Sequence, residues 1–207
     1  MTPIIQAVLE EYHRRTVEEN TLMDSLSSEQ FDQRIDEFLL PIGPQSGQLM
    51  SLLIKGAQAK TVVEVGASYG YSTIWFAEAV SETGGKVISI ELNKAKQAYA
   101  KKQLQKAGLL DYVEFKTGDA LQVLSELTEP IDFMLLDLWK RFYIPCFDLA
   151  YPKLSDGATV LADNMRYPTA VREAADTYRA HVKSKPGMDS VLLNVGSGIE
   201  LSRYKTG

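Results

Sequence analysis

Four side chains at the ends of two apolar runs have the types and spacing to do chemistry. Asp137 closes IDFMLLD, Asp163 closes GATVLAD with Asn164 directly after it, and Lys140 follows Asp137 by three residues. Asp137, Asp163 and Asn164 are hard oxygen donors. If the two runs are neighbouring strands, about 4.8 Å apart, these donors converge on one point. Such a point suits Mg2+, Mn2+ or Ca2+ with open water positions, rather than zinc. Strand-end Asp and Asn also cap helices, and spacing alone leaves both roles open. A lysine beside a divalent cation has its ammonium form disfavoured, so Lys140 can act as a general base. A solvated surface lysine is the commoner fate of this residue type. Trp139 is either core or the wall of a pocket that stacks on a flat or cationic group.

A second constellation lies upstream. Glu64-Val65-Gly66-Ala67-Ser68-Tyr69-Gly70-Tyr71-Ser72 reads as a strand end, a glycine turn and a helix start near Ser72. Glycines there let backbone approach a ligand closely, with the free N–H groups of the helix aimed at the turn. Ser68 stands where the dinucleotide fingerprint has its second glycine, which suits pyrophosphate poorly. The alternative is a plain strand–helix turn. Glu91 comes 21 residues after Gly70, a spacing at which an acid accepts from ribose hydroxyls; it also fits a surface glutamate. Together the two features indicate an adenosine-containing ligand. In Gly118-Asp119-Ala120, Asp119 can accept from an adenine amino group, cap a helix over Ala120–Leu127, or do both.

These residues need a scaffold, and the apolar runs supply one. TVVEVG (61–66), KVISIE (86–91), YVEFKT (112–117), IDFMLLD (131–137) and GATVLAD (157–163) alternate with helical stretches. Near-continuous apolar runs of this length suit strands buried on both faces. The alternation predicts an α/β fold with a doubly wound, mainly parallel sheet. SVLLNV (190–195) and GIELSRYK (198–205), separated by Gly196 and Ser197, read as a hairpin, so the seven-stranded sheet closes with an antiparallel last strand. Residues 1–59 read as a helical N-terminal cap and 60–207 as the ligand-binding core, one domain over 1–207. In the cap, Thr2 and Pro3 start a first helix through Ile4, Ile5, Val8, Leu9 and Tyr12. Ser27 and Gln30 have capping-box spacing for a second, with Phe31, Ile35, Phe38 and Leu39 on one face and Pro41 as its stop. A third runs roughly from Ser46 to Gln58. The cap is expected to cover one sheet face, form a lid over the site or form a dimer surface.

Composition narrows the classes. The chain has 207 residues, 22 Lys+Arg against 27 Asp+Glu and a net charge of −5, which disfavours a strongly basic nucleic-acid binder. Cys146 is the one cysteine, so an internal disulfide is excluded. With His13 and His181 far apart, a structural zinc site is not expected. The N-terminus is broken by charges and no apolar run reaches the ~20 residues of a membrane span. A cytoplasmic protein that engages no membrane is the expectation.

The sequence resembles the metal-dependent class I O-methyltransferases that use S-adenosylmethionine, the catechol and caffeoyl-CoA group. VVEVGASYGYSTI (62–74), LLDLWKRFY (135–143) and GATVLADNM (157–165) carry the resemblance, which covers roughly residues 40–207. It implies a Rossmann-like fold. It also implies a cofactor set of Ile42, Glu64, Gly66, Ser68, Gly70, Ser72, Glu91, Leu92, Gly118, Asp119, Ala120, Asp137 and Trp139. Ile42 would touch the ligand through its backbone. Glu64, Gly66, Ser68 and Ser72 would contact its methionine part, Glu91 the ribose, and Asp119 and Ala120 the adenine. Asp137, Asp163 and Asn164 match the metal ligands, Mg2+ above all, and Lys140 the general base. The implied acceptor is a small vicinal diol of catechol or hydroxycinnamoyl type. This chain has no acid in register near Ser190–Val191, where catechol O-methyltransferase has a glutamate; Asp189 is adjacent. Leu138 stands where that enzyme has a polar pocket residue, and Phe38 lies near a position where it has a gating tryptophan. The rival readings are a tRNA hydroxyuridine O-methyltransferase of the same family, using Arg141, Arg166, Arg172, Lys183 and Lys185, a non-catalytic S-adenosylmethionine-binding module, and a nicotinamide dehydrogenase. Relatives are often homodimers, so a homodimer is an open expectation.

Overall fold

The computed structural model describes residues 1–206. Thr2 caps α1 (Pro3–Met23), and Ile5, Val8, Leu9 and Tyr12 form its buried stripe, at the spacing of one helix face. Ser27 and Gln30 exchange side-chain bonds with each other's backbone N–H, at 3.2 and 3.0 Å. That closes a capping box on α2 (Ser28–Arg34). This helix does not run on to Pro41, as the apolar spacing suggested. It tightens into one 3-10 turn at Ile35–Glu37 and is extended at Phe38. The cause is tertiary: the N–H of Leu39 donates to Glu19 of α1 at 2.7 Å, and the carbonyl of Glu37 accepts from Arg15 at 3.0 Å.

The core then alternates α3 (Pro44–Gly56), β1 (Thr61–Val65), α4 (Tyr71–Thr83), β2 (Lys86–Glu91), α5 (Lys94–Ala107), β3 (Val113–Thr117), α6 (Ala120–Glu126), β4 (Ile131–Leu136), α7 (Tyr143–Ala150), β5 (Leu154–Ala162), α8 (Arg172–Lys183), β6 (Met188–Leu193) and β7 (Ile199–Tyr204). The sheet order is β3-β2-β1-β4-β5-β7-β6. The pairs among β1 to β5 are parallel, and β7 runs antiparallel to both β5 and β6. β5 starts three residues earlier than its apolar run suggested, and its register against β4 breaks between Leu154 and Thr159. Val62, Val63 and Val65 of β1 are fully buried, because helices cover both faces of a parallel sheet. One core packs α1, α3, α4 and α5 onto the first face, and the other packs α6, α7 and α8 onto the second. Gly47 brings α3 close to α4: a Cβ there would come 2.6 Å from the indole nitrogen of Trp75. Among the described residues no helix is long and apolar enough to cross a membrane.

Candidate active site

The parallel strands end along one edge, and backbone bonds continue their ladder past the last strand residue. Gly118 N–H donates to Glu91, Gly66 and Ala67 to Ile90, Asp137 to Val65, and Asp163 to Leu136, all at 3.0–3.1 Å. The sequence-chosen positions therefore stand in a row at the carboxyl edge, where open α/β sheets bind ligands. Gly66 joins two of them. Its φ is +92°, and a Cβ would lie 2.2 Å from the carbonyl oxygen of Asp137. Only glycine lets the turn after β1 pass this close to the loop after β4.

On the β1–β2 side the polar groups are largely bonded within the chain. Glu91 accepts from the N–H of Ser68 at 2.7 Å and of Asn93 at 2.8 Å. It thereby closes the turn on which Ser68 takes a φ of +48°. Glu64 is fully buried, and one of its oxygens accepts from Thr73 at 2.6 Å and Ser89 at 2.8 Å. Its other oxygen is buried without a partner. Burial raises the Glu64 pKa, against the hydroxyls of Ser72, Thr73 and Ser89. One oxygen of Asp119 caps α6, accepting from Leu121 at 2.9 Å and Gln122 at 3.1 Å. Its second oxygen accepts no hydrogen bond among the described residues.

The cap clasps this turn. Tyr12 of α1 donates to the carbonyl of Tyr69 at 2.7 Å, and the Tyr69 hydroxyl donates to the carbonyl of Asp36 at 2.9 Å. The Arg15 guanidinium lies 4.4 Å from the Tyr69 ring centre.

On the β4–β5 side the charges are not answered. Among the described residues no hydrogen bond reaches the Asp137 carboxylate. Its pKa is pushed well up, first by burial and then by the neighbouring charge of Asp163. Asp163 rises to about 6 by burial, against the N–H of Asn164 and the charge of Lys140. Its Oδ1 is buried with no partner. Burial drives Lys140 down to about 8, against the pull of both acids. Its Nζ donates to the Asp163 carbonyl at 2.9 Å and sits 3.8 Å from the Tyr143 ring centre. Asn164 follows at a φ of +53°, a left-handed conformation that Asn tolerates. Among the described residues no three His, Cys, Asp or Glu side chains cluster as a metal site. The set here is two carboxylates and an amide. Paired hard oxygen donors with one oxygen bare fit a divalent cation, and the glycine turn with the bare Glu64 oxygen fits a ligand carrying an ammonium group.

The remaining positions are less enclosed. Ile42 is buried beside this edge, where the hairpin turn approaches it: a Cβ on Gly196 would come 3.4 Å from its carbonyl oxygen. Leu92 and Trp139 are 72% and 59% exposed, just past the ends of β2 and β4. Gly70 faces α5, since a Cβ there would meet that of Ala100 at 2.5 Å. Gly118 and Ala120 flank Asp119 at the end of β3. The basic residues do not form one patch. Arg166 and Arg172 line a common concavity. Lys183 lies at the far end of α8 from Arg172, about 16 Å away at about 1.5 Å per residue, and Lys185 is paired with Asp148 at 2.7 Å. Residue spacing overlooked Ser89, which lies opposite Glu64 in register. It also overlooked Tyr143, three residues after Lys140, whose hydroxyl donates to the Asp163 carbonyl at 3.1 Å. The period-2 and i,i+3 rules could have found both.

Comparison with known proteins gives one family. Its description is O-methyltransferase, and its sequence model matches residues 13–205. A catechol O-methyltransferase of Niastella koreensis is 34% identical over 130 residues, 61% of this chain and 58% of that relative's length. Caffeoyl-CoA O-methyltransferase 2 of Populus trichocarpa is 29% identical over 186 residues, covering 80% of this chain and 75% of its own. The crystal structure of an O-methyltransferase from Bacillus cereus in complex with SAH superposes with a TM-score of 0.77 at 25% identity, over 96% of this chain and 91% of that one.

Proposed function

The chain belongs to the O-methyltransferase family, and from that premise we propose that it moves a methyl group from S-adenosylmethionine to one hydroxyl of a small vicinal diol, with help from a divalent cation. The observation that carries the reading is the unanswered pair Asp137–Asp163, with a bare buried oxygen and Lys140 at its side. A scaffold that only held the nucleoside ligand would need the β1–β2 side alone. Bound S-adenosylmethionine supplies a methyl group on a positively charged sulfur, and a bound cation supplies Lewis acidity to two adjacent acceptor oxygens.

The chain's own residues do the rest. Gly66, Ser68, Gly70 and Ser72 shape the turn, with Ile42 beside it. The bare oxygen of Glu64 takes an ammonium group. Glu91 holds the turn and turns its remaining lone pairs to ribose hydroxyls, and Asp119 offers its second oxygen to adenine, framed by Gly118 and Ala120. Leu92 and Trp139 cover the ligand from the mouth. Asp137, Asp163 and Asn164 hold the cation, Mg2+ by choice of donors. Lys140 Nζ, lowered to about 8, accepts the proton of the reacting hydroxyl. A base near the working pH is the effective one.

The test is transfer from labelled S-adenosylmethionine to catechols, hydroxycinnamoyl esters and bulk tRNA, each with Mg2+ and with chelator. Chelator-sensitive transfer to a diol is the expected result. Transfer to tRNA alone would replace the small-molecule reading, and transfer indifferent to chelator would remove the cation.

A further inference from the structure

A concavity of about 230 Å3 opens beside the Asn164 loop, lined by Met165, Arg166, Arg172, Asp176 and Leu192. Its position is built. Met165 donates its N–H to the Gly198 carbonyl, and Arg166 and Tyr167 donate theirs to Ser197, at 2.9–3.2 Å. The stem of Arg166 lies on Gly198, where a Cβ would come 2.7 Å from its Cγ. Arg172 Nε donates to the Arg166 carbonyl at 3.4 Å. Arg166 and Arg172 thus line one concavity, and among the described residues neither has an acid partner. The acid in the lining, Asp176, is tied to Arg179 at 3.1 Å, and Arg179 also holds the buried Glu200 at 2.7 Å. Paired cations with no anion repel each other, and a guanidinium fork matches a carboxylate in plane. Met165 and Leu192 give the same concavity an apolar wall. At about 230 Å3 it is smaller than a site for a whole drug-sized ligand, so it takes a side arm.

We propose that the acceptor is a diol that carries a carboxylate on a short arm, seated between Arg166 and Arg172 while its hydroxyls face Asp137, Asp163 and Asn164. This rests on the function proposed above. The test compares 3,4-dihydroxybenzoate with its methyl ester and caffeate with methyl caffeate, so that charge changes while ring and reach stay matched. The protein is expected to favour each acid by about ten- to hundredfold in kcat/KM, through KM, the scale of a charge-assisted contact. Added salt should shrink the preference. Arg166→Ala and Arg172→Ala should each bring the ratio toward one and leave the esters' kcat unchanged. Acid and ester handled alike by the unaltered protein, or a preference untouched in both variants, overturns the carboxylate and leaves the diol reading standing. No transfer to any of the four overturns both.

Discussion

Glu64 and Glu91 lie on one side of the Gly66 turn's contact, Asp137 and Asp163 on the other, and the chain bonds the first pair far more than the second. Glu91 receives two backbone N–H groups and Glu64 two hydroxyls. Among the described residues Asp137 receives no hydrogen bond; Asp163 keeps one buried oxygen bare, as Glu64 does. Residue type and burial are similar on the two sides, so the donors within reach make the difference. A carboxylate bonded by its own chain fixes shape, whereas two neighbouring carboxylates with few donors hold unfavourable energy until a cation arrives. The β1–β2 side is the more finished mould, its gap the bare Glu64 oxygen, and the β4–β5 side is an unfinished charge balance.

The widest breach of that contrast comes from the unfinished side. Lys140→Met is expected to lower kcat by about 10^2–10^4-fold, the range for a lost general base, and Asp137→Asn by about 10^2–10^3-fold, the range for a lost electrostatic group. Both variants should keep the circular dichroism of the parent, and Lys140→Met should still bind S-adenosylmethionine by calorimetry. A variant that keeps near-normal metal-dependent turnover removes that residue from the chemistry.

Gly66→Ala tests the seam between the two sides. It forces a left-handed φ on alanine and drives its Cβ into the Asp137 carbonyl at 2.2 Å. Gly108→Ala is the control, at φ +69° with open space around it. The control should cost about 1–2 kcal/mol for handedness alone, and Gly66→Ala about 2 kcal/mol more. Equal losses in urea unfolding would show that the seam has room.

The third test reads the charge balance through pH. Asp163 titrates near 6 in the folded protein, above its unfolded value near 3.9. A raised pKa means that the fold binds the extra proton, so this stability is complete below the unfolded value and is lost as pH rises through 6. The metal-free protein should therefore lose about 1–2 kcal/mol between pH 4.5 and 7, roughly 2–8 °C in Tm. Carboxylates held low by ion pairs, such as Glu11, Glu114 and Asp148, titrate below that window. Mg2+ should restore Tm at pH 7 and do little at pH 4.5. Asp163→Asn should flatten the slope, and a slope that survives it belongs to other groups.

The unfinished side was the more legible in sequence. Its residues sit at the ends of near-continuous apolar runs, and parallel strands must end along one edge, so Asp137, Asp163 and Lys140 were found by strand ends and short spacing. The finished side was legible as a glycine turn, but its interior bonds were not. Ser89 and Thr73 reach Glu64 through strand register and helix phase, and Glu91 serves the turn through two N–H groups that no side-chain pattern announces. The cap was the least legible. α2 stops at Arg34 because Leu39 and Glu37 bond to α1, more than fifteen residues earlier in the chain. Contacts of that reach leave no local signal.

The smallest effect should come from the clasp. Tyr12 is fully buried, its hydroxyl donates to the Tyr69 carbonyl, and its ring meets those of Tyr71 and Tyr99 at 5.6 and 6.0 Å. Tyr12→Phe keeps the ring packing and leaves one carbonyl unanswered. The expected cost is about 1 kcal/mol, or roughly 2–4 °C in Tm. The turn keeps its other holds, the Tyr69 hydroxyl on Asp36 and Arg15 over the Tyr69 ring, so kcat should stay as it was and any loss should appear as weaker cofactor binding. Lys140→Met should do the reverse, sparing Tm and binding while kcat falls. If Tyr12→Phe also lowers kcat by tenfold or more, the clasp reaches the acids beyond Gly66, and the two sides must be treated as one coupled site.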